Sequence, residues 1–164
     1  MAINKKPIDL IIFMGQSNMA GRGVVNARHP EDAPDDYRVR HKVMVWTQRE
    51  SDADNHVTPE EYKQNLRKIV NEMESVGVEH CYLVRIGKYN GGNKSLSYEP
   101  IQQAQVEFCN ENKDCTMASL ILDTFKEKGM MKDAFHYYQN AYNIVGEDAG
   151  LNTGQQLYAL HSLK

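Results

Sequence analysis

The sequence predicts an α/β fold, a three-layer sandwich around a mostly parallel sheet of about four strands. Short apolar runs recur along the chain, the first being Leu10-Ile11-Ile12-Phe13. Helical periods with recognisable start and stop signals fall between later runs, as at Thr58 to Gly77. Strands that alternate with helices pair in parallel and use right-handed crossovers. The whole chain, residues 1–164, is short enough to be one domain. A domain of that size buries roughly 70% of its unfolded surface and folds without a disulfide or metal.

Strand one is expected at about Ile8 to Met14, a buried-strand pattern broken by Gly15. Residues 20–41 are polar, hold Pro30 and Pro34 and show no helical period, so they read as a long crossover loop. Strand two spans about Lys42 to Thr47 and carries the only tryptophan, Trp46. Thr58-Pro59-Glu60-Glu61 has capping-box spacing with proline at the first helical position. Tyr62, Leu66, Ile69, Val70, Met73 and Val76 then recur on one helix face, and Gly77 suits the position after the helix.

Strand three is expected at about His80 to Ile86, followed by a glycine-rich turn, Gly87 to Gly92. The next helix runs from about Tyr98 to Asn110, with Ile101, Ala104, Gln105 and Phe108 on one side. Strand four is placed at about Thr116 to Leu122, and a last helix starts near Gln139. Gly146, Gly150 and Gly154 share one face of that helix at a spacing of four. Each weakens helix propensity by about 1 kcal/mol, so close packing or a local break is expected there.

A net charge of −3 provides no electrostatic footprint for nucleic acid or an anionic membrane. The longest apolar run is too short to span a bilayer. MAINKKPIDL has no apolar core, so no signal peptide is expected. The three cysteines, at 81, 109 and 115, lack metal-ligand spacing and read as reduced thiols of a cytoplasmic protein.

Two separated segments carry the chemistry. Ser17 follows the carboxyl end of strand one, where ligands bind in open α/β sheets. Asp133-Ala134-Phe135-His136 supplies a carboxylate and an imidazole three residues apart. Together they offer a nucleophile, a base and a group that orients the base. Taken singly, Ser17 reads as a helix N-cap, His136 as a surface histidine and Asp133 as the N-cap of the last helix. The histidines at 29, 41, 56, 80 and 161 read as solvated. Asp52-Ala53-Asp54-Asn55-His56 lacks the acidic ligand a calcium loop needs at its twelfth position, where Lys63 stands. Asn90-Gly91-Gly92 matches no phosphate-loop spacing and reads as a turn.

Gly15-Gln16-Ser17-Asn18-Met19-Ala20-Gly21 resembles the nucleophile block of the SGNH hydrolases, nearest to their carbohydrate-esterase branch of sialate O-acetylesterase and acetylxylan esterase-like proteins. Trp46-Thr47-Gln48-Arg49-Glu50-Ser51-Asp52 is similar to that branch's W-x-Q-G-E-S-D block, and Asp133-x-x-His136 to its closing D-x-x-H block. The resemblance implies a flavodoxin-like fold and a serine esterase that removes O-acetyl groups from a carbohydrate or similar small ester. It implies Ser17, Asp133 and His136 as catalytic residues, and Gln16, Gln48 and Glu50 as oxyanion- or substrate-binding residues. It implies no metal or cofactor.

Two departures stand against the family pattern. Only residues 22–43 separate the first two blocks, and the family's glycine block is not visible among them. Arg49 stands where the family has glycine. The chain therefore resembles an internally shortened member, expected to be slow but active. The alternative is a shortened, non-catalytic relative that binds a ligand or partner. Shortening exposes a sheet edge, where a homodimer contact or a covering loop is expected.

Overall fold

The computed structural model describes residues 6–15, 37–48, 57–93 and 95–162. Four parallel strands lie in the order β1-β2-β3-β4. They are β1 (Lys6–Gly15), β2 (Tyr37–Thr47), β3 (His80–Val84) and β4 (Cys115–Ser119). Three α-helices are described: α1 (Pro59–Ser75), α2 (Glu99–Glu111) and α3 (Gln139–Ser162). A 3₁₀ turn, Ile121–Thr124, follows β4.

Alternation along the strands divides the core into two layers. Met44 and Trp46 of β2 pack with Tyr62, Leu66 and Val70 of α1 and Ile101, Ala104 and Phe108 of α2. Val43 and Val45 face the other way, into a layer with Tyr82, Val84, Phe125 and Ala141. Thus α1 and α2 cover one face of the sheet and α3 lies on the other. Right-handed crossovers between strands added in one direction all fall on one face, here that of α1 and α2.

Strand one pairs directly and in parallel with the Trp46 strand, Met14 opposite Trp46 and Gly15 opposite Thr47. Strand β1 is the sheet edge among the described residues, and Phe13 is 64% exposed there. Helix α1 starts and stops where its signals lie: the Thr58 side chain accepts from Glu61 N–H at 3.2 Å, and Gly77 takes φ +90°. That φ favours glycine because no Cβ clashes there.

Several expectations need correction. First, β2 begins at Tyr37, inside the stretch read as loop, because its first residues pair with Lys6 to Ile8. Second, β3 ends at Val84, not Ile86. The Ile86 N–H donates to the Gln105 side chain at 3.0 Å, so a helix replaces the strand ladder there. Third, β4 ends at Ser119, whose hydroxyl accepts from Ile121 N–H at 3.3 Å and donates to Asp148 at 2.5 Å as the chain turns into the 3₁₀ segment.

The fourth concerns α3, which runs unbroken through its glycines. Among the described residues, a Cβ at Gly146, Gly150 or Gly154 would meet no atom within 4 Å beyond the helix's own backbone, so no described element packs closely on the stripe. His80 is likewise not solvated. It is half-buried on β3, with Nε2 2.7 Å from the Thr116 hydroxyl, and burial lowers its pKa.

Candidate active site

Asp133 and His136 stand on a tight returning segment between the 3₁₀ turn and α3. An antiparallel bridge between Met131 and Tyr137 closes it, and the His136 carbonyl accepts from Lys132 N–H at 2.8 Å. The aspartate supplies the rest of the fold locally. Its Oδ1 accepts from the N–H groups of Phe135 and His136, both at 2.8 Å. Short polar side chains favour such turns because they hydrogen-bond the backbone two or three residues on.

The same carboxylate orients the imidazole. His136 Nδ1 lies 2.9 Å from Asp133 Oδ2 and 3.1 Å from Oδ1. Burial of the aspartate raises its pKa. The backbone donors at Phe135 and His136 and the imidazole outweigh that and hold it at about 2. Asp133 is therefore ionised at neutral pH, as a base-orienting carboxylate must be. The carboxylate engages Nδ1, the ring nitrogen nearer the backbone.

The residues flanking His136 place it over the carboxyl edge of the sheet. Phe135 packs into the layer of α1 and α2, whereas Tyr137 packs into the layer of α3. His136 sits between them. The loop after β3 braces the segment: Asn90 N–H donates to the Ala134 carbonyl at 3.0 Å, and the Tyr89 ring lies 5.6 Å from that of Phe135. Tyr89 also meets Tyr98 at 5.8 Å, so three aromatic rings tie the loop to the start of α2. The sequence offered no signal for this brace, since neither Tyr89 nor Phe135 belongs to a spaced motif.

Beneath the site runs a buried glutamine network. Gln105 is fully buried; its Oε1 accepts from Ile86 N–H, and its Nε2 donates to the Gln48 carbonyl at 3.3 Å and the Tyr62 hydroxyl at 3.2 Å. Gln102 donates to the Ile86 carbonyl at 3.0 Å and to Asp123 at 3.1 Å, and Asp123 pairs with Arg85 at 3.0 Å. The ends of β2 and β3 are thus fixed to α2 by side chains rather than by each other. Gln48, predicted to line the site, is half-buried directly after β2.

Gln16, Ser17 and Glu50 lie outside the described residues, as do Asn18 to Gly21, Arg49 and the Asp52 to His56 stretch. The strand that leads to Ser17 ends at Gly15, opposite Thr47 and so at the same carboxyl edge. Among the described residues no group of three or more His, Cys, Asp or Glu side chains is placed to hold a metal ion. No helix of the described residues is long and apolar enough to cross a membrane.

Cys81 and Cys115 face each other in the β3–β4 register, and both are buried and unbridged. A hydrogen bond from Cys115, together with burial, pushes the Cys81 pKa up, and burial pushes that of Cys109 up to about 12. Such thiols are poor nucleophiles. No protein-family model, curated protein or solved structure matches the chain.

Proposed function

We propose that the chain is a serine ester hydrolase that removes acetyl groups from a carbohydrate or a similar small O-acyl ester. The observation that carries this reading is the Asp133–His136 pair at the carboxyl edge of the sheet, with its carboxylate ionised and on Nδ1. Ser17, two residues beyond the end of β1, is the nucleophile in this reading.

The Ser17 oxygen bonds to the ester carbonyl carbon while His136 Nε2 takes its proton. The same proton passes to the departing sugar oxygen as the C–O bond breaks, leaving an acetyl-serine. Water, deprotonated by His136, then attacks that carbonyl, and acetate leaves as Ser17 recovers its proton. The Ser17 N–H and the Gln48 side chain hold the oxyanion, and Gln16 and Glu50 line the substrate side. Losing one oxyanion donor usually lowers the rate about 10²–10³-fold, so a chain without the glycine block turns over slowly. The unbridged cysteines support a reducing compartment, the cytoplasm.

The test is release of p-nitrophenol from p-nitrophenyl acetate, and of acetate from an acetylated sugar. Ser17→Ala and His136→Ala should each remove nearly all turnover, and the double variant should be little worse than either. Ser17→Ala as active as the wild type would sink the nucleophile assignment.

A further inference from the structure

The loop after β3 holds both chain neighbours of His136. In the layer of α1 and α2 the Tyr89 ring lies 5.6 Å from the Phe135 ring, a normal aromatic packing distance. In the layer of α3 the Tyr137 hydroxyl fills the place where Gly87 would carry a Cβ. That Cβ would overlap the hydroxyl and stand 2.8 Å from the Leu122 carbonyl, closer than side-chain carbons pack. Between the two, Asn90 N–H donates to the Ala134 carbonyl at 3.0 Å.

Tyr89 is itself anchored. Its carbonyl accepts from Lys126 Nζ at 2.7 Å, and its ring meets that of Tyr98 at 5.8 Å. Gly91 leaves the ring its place, because a Cβ there would overlap the Tyr89 hydroxyl and the ring carbon that bears it. Neither Gly87 nor Gly91 has a positive φ, so both serve by leaving room. The bonds from Asp133 to Phe135 and His136 lie inside the turn. They set its shape, whereas the loop after β3 ties it to the sheet.

We propose that Tyr89 is a positioning residue: its ring, seated against Gly91, fixes Phe135 and thereby the place of His136 at the carboxyl edge of the sheet. The kinetic consequence rests on the ester-hydrolase reading; the mechanical one does not. A catalytic group must be held within about 0.5 Å of its productive place by side chains that are themselves locked. A misplacement of about 1 Å, caused far from the chemistry, can cost about 10²-fold in rate.

The test pairs turnover of p-nitrophenyl acetate with backbone amide nitrogen relaxation in the full chain. Tyr89→Phe keeps the ring and should match the wild type in both. Tyr89→Ala removes the ring, and Gly91→Ala displaces it. Each should lower kcat about tenfold to hundredfold at unchanged KM. Each should also lower the amide order parameters of Phe135 and His136 from about 0.85 toward about 0.6. Urea unfolding checks that each variant is folded under assay conditions. Unchanged order at Phe135 and His136 in Tyr89→Ala and Gly91→Ala overturns the inference, with or without turnover. So does an active wild type whose kcat survives in both variants, or a Tyr89→Phe as impaired as Tyr89→Ala. A wild type without turnover, but with order lost in both variants, sinks the hydrolase reading and supports the positioning role.

Discussion

Asp133 grips His136 twice: Oδ2 meets the ring nitrogen Nδ1 at 2.9 Å, while Oδ1 accepts the backbone N–H of the same residue at 2.8 Å. One carboxylate thus sets both the turn and the tautomer. The two roles separate by substitution. Asp133→Asn keeps an oxygen for the backbone donors but loses the charge that favours the imidazolium. It should fold like the wild type and lose about 10²–10⁴ in kcat. Asp133→Ala should lose the same activity and also about 0.5–1 kcal/mol of stability, from two solvent-facing hydrogen bonds. Ester turnover and urea melts on both variants check this. An Asn variant as fast as the wild type would remove Asp133 from the mechanism.

Gln105 should matter as much to stability as a large apolar side chain. Its amide is fully buried and satisfies three groups: the Ile86 N–H, the Gln48 carbonyl and the Tyr62 hydroxyl. Gln105→Leu keeps the volume but strands the Ile86 N–H and the Gln48 carbonyl. An unsatisfied buried group costs about 1–3 kcal/mol, and some relax toward water, so a loss of about 3 kcal/mol is expected. Denaturant unfolding gives the number. A loss under 1 kcal/mol would mean that the β2 and β3 ends do not depend on the α2 amides.

The parts of this fold that were legible in the sequence are those set by local chemistry. Helix α1 was readable end to end because Thr58 caps it and Gly77 takes a positive φ after it. The strand cores were readable because Val43 to Trp46 and Cys81 to Val84 are continuous apolar runs buried on both faces. The Asp133–His136 contact was readable because a three-residue spacing in a turn brings the two side chains together.

Long-range pairing was not legible. The first half of β2 looked like loop because Arg38, Arg40 and His41 interrupt its apolar residues, and only the partner strand makes it β. Gln105 was placed on the apolar face of its helix, but the backbone groups it satisfies come from 19 and 57 residues away. The glycine stripe reads as a close contact or a helix break, yet the helix runs on unbroken, because spacing alone does not say whether a helix face meets a neighbour.

The same glycines give a stability prediction of opposite sign to the usual one. Gly146 and Gly154 lie inside a continuous helix, neither has a positive φ, and among the described residues a Cβ at either meets nothing within 4 Å. Alanine at such a site gains helix propensity and removes unfolded-state freedom. Gly146→Ala and Gly154→Ala should each stabilise by about 0.5–1 kcal/mol, and the pair should be nearly additive because the sites lie eight residues apart. Thermal melts decide it. Destabilisation by either would mean that its face is packed in solution.

Acid sensitivity should centre on Asp114, at the opposite edge of the sheet from the candidate active site. Arg67 holds it bidentately, Nη1 to Oδ1 at 3.1 Å and Nη2 to Oδ2 at 2.5 Å. The Arg67 hydrogen bonds lower the Asp114 carboxyl to about 2, against burial, which raises it. Glu74 nearby shifts the other way, raised chiefly by its hydrogen bond with Asp114. A carboxylate depressed in the folded state binds protons more weakly there than in the unfolded chain. Its stabilisation is therefore complete above the ordinary aspartate range near 3.8 and is lost as pH falls toward 2. Allowing for partial exposure, this amounts to about 1–2 kcal/mol. Glu74 acts with the reverse sign, favouring the fold as pH drops through the range just above its ordinary value, so the net loss begins late. Asp114→Asn should lower stability at pH 7 by that amount and flatten its fall between pH 4 and about 2, the window of the shift. Urea midpoints across that range are the measurement, and parallel curves for variant and wild type would show that the Arg67–Asp114 pair does not govern acid unfolding.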